Sequence, residues 1–418
     1  MPAIFFVFIV ILFQRANTMM VQSINPLFVK YILHTNLVYV GIATAVYAAS
    51  TLSVRYIVSI RVKPVHITKF IIVGMILFSM TMLGYFFSDS LLEFLLFVVI
   101  SGFATAIIMP FLLSLVNFVS DKKDIEKNLT IYSLMLSLAL VIGPVLGTLL
   151  LAVLNIRYIY LLLFVFAAAG VFFAIKINKT AKNKIKAKMC QDNNIIYGES
   201  KQNNNDDNIN IAQKIKQKKD KLIFRLFKNK KFLEVIFYNT VFSICFASIV
   251  AFGGVYARNN FNAPYFLITL LFAIFFISSL LTRIALLFLT KKGKIKQKMN
   301  IMNISILLSS LSFAAMFLSN NIIFYALALV LLGIPHALIF PIGTMRISEV
   351  VEVKQIVAAN TIYQSNFDIG GIIGPFFLAY IGEAYSIKLV FLSLAVFLML
   401  AFILGRIFMK FIDYVPNN

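Results

Sequence analysis

Ionisable groups are rare inside the long apolar runs of this sequence, and three stand out: Arg15, His336 and Asp368. A guanidinium binds carboxylates and phosphates, a carboxylate pairs with a cation or carries a proton, and an imidazole titrates near neutrality. A charge at the centre of a bilayer costs roughly 3 kcal/mol on insertion scales. Each of these residues therefore needs a partner, a wet cleft, or both. At helical spacing Gln14, Arg15, Thr18, Gln22 and Asn25 fall within an arc of roughly 100°, a polar stripe that should face a cavity or the bundle interior. Thr361, Gln364 and Ser365 share the face of Asp368, with Asn360 at its edge. Arg15 and Asp368 each sit about a dozen positions into their runs, so at about 1.5 Å rise per residue they reach similar depth. The expectation is that both face one central cleft and interact directly or through water. The alternative is a buried ion pair that only fixes helix packing. His336 is a candidate carrier of a coupling proton or, alternatively, a satisfied core histidine. Asn239 and Ser243, four residues apart, are expected to cap the other side of the cavity. Arg55 and Arg283, near the ends of equivalent runs, are expected to snorkel or to bind loop carbonyls.

The elements that must position these residues follow from composition. The chain has 418 residues, 61% of them hydrophobic, and a mean hydropathy of +0.92. An ordinary globular chain is about 45–50% apolar. Apolar runs of about 20 residues recur throughout, each long enough to cross the hydrocarbon as a helix. Backbone groups in lipid must be satisfied within the segment, and continuous rather than alternating apolar runs exclude a β-barrel. Twelve spans are predicted: 3–31, 37–60, 67–87, 91–119, 129–154, 158–175, 232–257, 264–290, 299–318, 322–345, 356–381 and 387–411. The apolar amino terminus lacks a basic n-region, and Arg15 and Asn17 stand where a cleavage site needs small residues, so it reads as a retained first span.

The net charge of +22 does not point to nucleic acid, because the basic residues crowd into one central stretch and alternate short loops. Arg61, Lys63 and Lys69; Lys122, Lys123 and Lys127; the central stretch; Lys291, Lys292, Lys294, Lys296 and Lys298; and Arg346 and Lys354 form one set. The other set holds little beyond Lys30, Arg157, Arg258 and Lys388. The positive-inside rule makes the first set cytoplasmic. This gives a multi-pass protein of the cell membrane with both termini cytoplasmic. The division reads as a bundle over 1–178, a basic cytoplasmic linker over 179–230 and a second bundle over 231–418. The polar stretch reads as disordered from Lys176 to about Asp220. Ile211, Ile215, Leu222 and Leu226 then recur near helical spacing among lysines, as in a basic amphipathic helix on the membrane surface or, alternatively, in a solvated tether.

The two halves share residues at an offset of 228 to 231. Ser50-Thr51-Leu52-Ser53-Val54-Arg55 matches Ser278-Ser279-Leu280-Leu281-Thr282-Arg283, and Gly102 and Pro110 match Gly333 and Pro341. Thr130-Ile131-Tyr132 matches Thr361-Ile362-Tyr363, and Ile142-Gly143-Pro144 matches Ile373-Gly374-Pro375. A six-helix repeat keeps the same topology in both copies, which implies a pseudo-two-fold axis along the membrane normal and two bundles facing across a cleft.

With these features the chain resembles the Major Facilitator Superfamily over nearly its whole length. The resemblance rests on six plus six helices, the basic linker and the fifth-helix signature, here Ala139-x-x-x-Gly143-Pro144-Val145-Leu146-Gly147-Thr148, with Gly370-Gly371-Ile372-Ile373-Gly374-Pro375 as its repeat partner. In the antiporter branch that signature carries two further glycines, at the positions of Ala139 and Thr148. Its small residues allow close packing and its proline bends the helix. The loop motif after the second helix is degraded to Ser59-Ile60-Arg61-Val62-Lys63-Pro64-Val65-His66, with Lys63 at the acid position. The fourth-helix motif appears as Val98-Val99-Ile100-Ser101-Gly102, without its arginine. The resemblance implies the major facilitator fold, with His336 on a cavity-lining helix, and a secondary transporter, with the antiporter-type signature pointing to export of a small organic molecule.

The competing classes are an integral membrane enzyme on lipid-linked substrates and a non-transporting sensor. Only His34, His66 and His336 are present, scattered, and no Ser/His/Asp set, carboxylate pair or phosphate loop has usable spacing. The two cysteines, Cys190 and Cys245, give neither a disulfide framework nor a metal spacing. The reading is therefore a non-enzymatic, monomeric transporter without cofactor or metal. Its partners are a small-molecule substrate, the lipid bilayer and, as candidate coupling ion, the proton.

Overall fold

The computed structural model describes residues 3–61, 66–121, 124–198, 225–352 and 355–414. Among them are twelve helices long and apolar enough to cross a membrane. In the first half these are α1 (Ala3–Leu27), α2 (Leu37–Arg61), α3 (Ile67–Phe87), α4 (Leu91–Val119), α5 (Ile125–Leu151) and α6 (Ile156–Gly198). The second half has α7 (Lys230–Phe261), α8 (Tyr265–Lys291), α9 (Lys298–Leu318), α10 (Ile322–Val350), α11 (Ile356–Ala384) and α12 (Ile387–Tyr414). Twelve crossings put both termini at one end of the bundle, called here the termini end.

Helix boundaries follow local signals. Ser90 caps α4 in a reciprocal box with Glu93. The Asn321 side chain accepts from Ile323 N and Phe324 N at the start of α10. α7 stops where Asn262 adopts a left-handed conformation, φ 50°. One boundary differs from the sequence reading. Residues 176–198 were expected to be disordered, yet α6 runs on to Gly198, because lysines and alanines are good helix formers that continue a helix already nucleated in the membrane. The predicted surface helix of the linker lies almost entirely outside the described residues, as does Lys63.

The six-plus-six arrangement is visible in the packing. Helices α1, α2 and α5 of the first half contact α7, α8 and α11 of the second, while the remaining helices pack chiefly against their own halves. Between the halves the principal contacts are α2 with α11, α5 with α8, and α1 with α7. Lipid is as apolar as leucine, so helix contact within each half depends on close backbone approach. The repeat supplies it twice over. Gly143 of α5 lies against the Ala16 carbonyl of α1, and its repeat partner Gly374 of α11 against the Ile244 carbonyl of α7. A Cβ at Gly102 would lie 2.8 Å from the Tyr47 carbonyl oxygen, and one at Gly333 2.7 Å from that of Phe275.

Overpacking of a tight helix contact costs roughly 1–3 kcal/mol. Gly143→Val and Gly374→Val are therefore each expected to lower the thermal unfolding temperature of the detergent-purified protein by several degrees. Gly293→Val, at a turn with no atom within 4 Å of its virtual Cβ but with φ +63°, should cost only the backbone strain. Equal and negligible shifts at Gly143 and Gly374 would contradict the backbone contacts.

Candidate functional site

The halves meet most closely at the end opposite the termini. There the Tyr31 hydroxyl donates to the Asn259 side chain, Leu37 N donates to the Glu383 carboxylate at 2.7 Å, and Thr148 Oγ1 donates to Thr269 Oγ1 at 3.2 Å. Gly41 of α2 lies against the Pro375 carbonyl of α11. At mid-depth two polar bridges cross the interface. Arg55 Nη1 of α2 lies 2.6 Å from Asp368 Oδ2 of α11, with side chains 22% and 12% exposed. Arg283 Nη1 of α8 donates to Ser137 Oγ of α5 at 2.9 Å. One turn nearer the termini end, Ser133 of α5 and Gln364 of α11 are exposed. The interface is thus bonded at the far end and bridged at mid-depth, with exposed polar positions below the bridges.

The two bridges are copies of one another. Arg55 and Arg283 are repeat partners, and so are Ser137 and Asp368. One copy carries a carboxylate opposite its arginine and the other a hydroxyl. Arg15 of α1 has Tyr47, Tyr132, Arg55, Asp368 and Arg283 within electrostatic range. It is partly exposed, and among the described residues it makes no ion pair or hydrogen bond.

These positions correct several expectations. Asp368 shares its region with Arg15 but pairs directly with Arg55. Arg55 and Arg283, expected to snorkel or to bind loop carbonyls, instead bridge the two halves. Their guanidiniums point inward because their polar partners, Asp368 and Ser137, are there rather than in lipid. Gln14 and Thr18 are buried and bond to each other along α1. Asn25 accepts from the Tyr160 hydroxyl of α6 at 2.8 Å. Only Arg15 and Gln22 of the predicted stripe remain partly exposed without such bonds among the described residues. Asn239 donates to the Tyr363 carbonyl at 2.7 Å, and Ser243 to the Asn366 carbonyl at 2.8 Å, so both fasten α7 to α11 rather than capping a cavity. His336 is buried among Phe242, Phe246, Phe275 and Phe276, with Nδ1 2.8 Å from Ser279 Oγ. It is a bonded core residue. No group of three or more metal-ligating side chains occurs among the described residues.

The sequence profile of the Major Facilitator Superfamily matches residues 7–302 and 293–417. The chain belongs to the Major Facilitator Superfamily. It is similar in fold to the nucleoside transporter NupG, with 13% identity, a TM-score of 0.76, and 98% of this chain and 100% of that one covered. It is also similar to a peptide transporter POT in complex with sulfate, with 12% identity, TM-score 0.77, and coverage of 98% and 94%. A third similar structure is a bacterial homolog of the human lysosomal transporter Spinster, in an inward-facing and occupied conformation, at 12% identity, TM-score 0.71, and coverage of 99% and 98%. No curated protein matched the chain by sequence. Among superfamily motifs, Gly143, Pro144 and Gly147 stand where α5 crosses α1 and α8; Gly147 meets Thr269 of α8. Gly370, Gly374 and Pro375 occupy the matching place on α11, with Gly370 against Ser243 of α7. The small residues of the signature therefore serve close packing within each half, α5 on α1 and α11 on α7, with Gly147 also meeting α8 of the other half.

Removing one partner of a desolvated pair leaves the other uncompensated. Arg55→Gln and Asp368→Asn are each expected to lower thermal stability, and the double variant to lose less than the sum. The coupling is expected to be at least about 1 kcal/mol in a double-mutant cycle. Additive losses would mean that the two charges do not act on one another.

Proposed function

We propose that this chain is a secondary transporter, rather than an enzyme, that exports a small organic solute by alternating access and acts as a monomer. The single observation that carries this reading is the mid-depth bridge between Arg55 and Asp368, with exposed polar positions directly beneath it. A packing-only ion pair needs no opening. A pair at the boundary between a closed and an open stretch of one interface suits a pivot. In the orientation favoured by the basic loops, the termini end is cytoplasmic and the protein lies in the cell membrane.

Transport then requires the far-end contacts of Tyr31, Leu37 and Thr148 to part while the termini ends close. Each half moves as a rigid body, because its own helices are locked by backbone approach at Gly143 and Gly374. Asp368 offers a route for coupling. A proton on its carboxylate turns the ion pair into a neutral acid beside a cation and loosens α2 from α11. His336 has no part in this, since its ring is held in the aromatic cage. The outward direction of solute movement is supported by the antiporter-type Gly143-Pro144 signature.

Reconstituted vesicles loaded with a metabolite extract test the reading, with mass spectrometry identifying what leaves. At least one solute should exit faster than from protein-free vesicles, and an inward-directed proton gradient should accelerate its exit. In Asp368→Asn the acceleration should fall at least tenfold while exchange without a gradient persists. An undiminished gradient effect in that variant would remove Asp368 as the coupling site, and no solute flux at all would remove the transporter reading.

A further inference from the structure

The two mid-depth bridges are built to one pattern but are not electrically equivalent. Arg55 faces the carboxylate of Asp368, whereas Arg283, its repeat partner, faces the hydroxyl of Ser137. The Nε of each arginine is buried without a partner, so the difference between the bridges lies in the carboxylate alone. Arg15 adds a third guanidinium in electrostatic range of both and has no bonded partner among the described residues. Three arginines thus share one acid. The acidic residues of the chain otherwise lie in loops, in the linker or near helix ends. One turn from the bridges toward the termini end, Ser133 and Gln364 are exposed. An uncompensated guanidinium at the middle of a membrane is costly and calls for an opposite charge. Within the first bridge the protein supplies that charge itself. At the second it supplies none.

We infer that the substrate is a small organic anion, carrying a carboxylate or phosphate group that takes at Arg283 the place Asp368 takes at Arg55, with Arg15 as its second contact. This rests on the transporter reading above and names the substrate class of the same cleft. Guanidinium groups suit the task because their planar fork binds carboxylate and phosphate oxygens in pairs. The pseudo-symmetry gives the anion a mechanical consequence as well. By joining Arg283 of α8 to the α5 side it adds an ionic link to the second bridge, so that a loaded transporter has an ionic bridge at both α2–α11 and α5–α8 and an empty one only at the first.

The repeat also supplies the test. Ser137→Asp places the absent carboxylate opposite Arg283. In thermal-shift titrations of the purified full-length protein, the probes are benzoate, succinate and glucose 6-phosphate, with benzamide, succinamide, glucose and tetraphenylphosphonium as neutral and cationic counterparts. At least one anion should stabilise the wild type saturably while its neutral counterpart does not. Its apparent affinity should fall tenfold or more in Arg283→Gln, in Arg15→Gln and in Ser137→Asp. Ser137→Asp should nevertheless raise the unfolding temperature of the ligand-free protein, an opposite-signed effect that a misfolded variant cannot produce. Stabilisation by the neutral or cationic compounds alone, anion binding equal in wild type and variants, or no anion-specific stabilisation would overturn the inference. Vesicles that transport a neutral or cationic solute would leave the transporter reading intact while removing the anion, so the two failures are distinguishable.

Discussion

The constraint on which the rest depends is the cost of holding charge at mid-membrane. Arg15, Arg55, Arg283 and Asp368 are carried on four different helices, α1, α2, α8 and α11, drawn from both halves. None of them can face lipid. Their common requirement for water or an opposite charge obliges these helices to turn one face toward a shared interior, and that interior is the seam between the halves. A fully apolar seam would close more tightly but would leave no place for a polar solute.

Around this polar centre the protein uses two kinds of contact, with different consequences for motion. Inside each half, helices approach through backbone: Gly143 on the Ala16 carbonyl, Gly374 on that of Ile244, Gly102 on Tyr47 and Gly333 on Phe275. Such contacts are short and tolerate no added atom, so each half behaves as a solid body. Between the halves, the bonds at the far end join side chains or a side chain to a single backbone group: Tyr31 to Asn259, Glu383 to Leu37 N, and Thr148 to Thr269. Side-chain bonds can be exchanged for bonds to water at little net cost. Apart from Gly41 of α2 on the Pro375 carbonyl of α11, the halves are joined there by exchangeable bonds, an arrangement suited to the rocking proposed above.

Divergence between the copies is as informative as their likeness. Tyr47 reaches Thr105 at 3.2 Å, while the repeat-related Phe275 packs on His336, which bonds to Ser279 instead. The same geometric slot is polar in one half and an aromatic cage in the other. Asp368 and Ser137 differ in the same way. The fold requires the backbone approach at these crossings and keeps it in both copies, whereas the chemistry of the slots is free to separate.

Sequence alone determined the fold class, the number of crossings and the repeat, because lipid imposes long apolar runs and because Gly-Pro pairs at a constant offset mark equivalent crossings. It also singled out Arg15 and Asp368, since charge inside such runs is rare enough to be conspicuous. It did not determine which charge meets which. Depth and helical face can be read from spacing, and they pointed to Arg15 as the partner of Asp368; only the crossing of α2 with α11 chose Arg55. The signal was present in the repeat, which aligns Arg55 with Arg283 and, carried a few residues beyond Tyr132, aligns Ser137 with Asp368. Asn239, Ser243 and Gln14 show the opposite limit. A polar residue in a membrane helix can face a cleft or bond to a neighbouring carbonyl, and these meet the same energetic demand, so tertiary packing alone decides between them. The linker marks a third boundary: its polar composition suggested disorder, yet α6 extends to Gly198, because a helix already held by the bilayer propagates through residues that would not begin one.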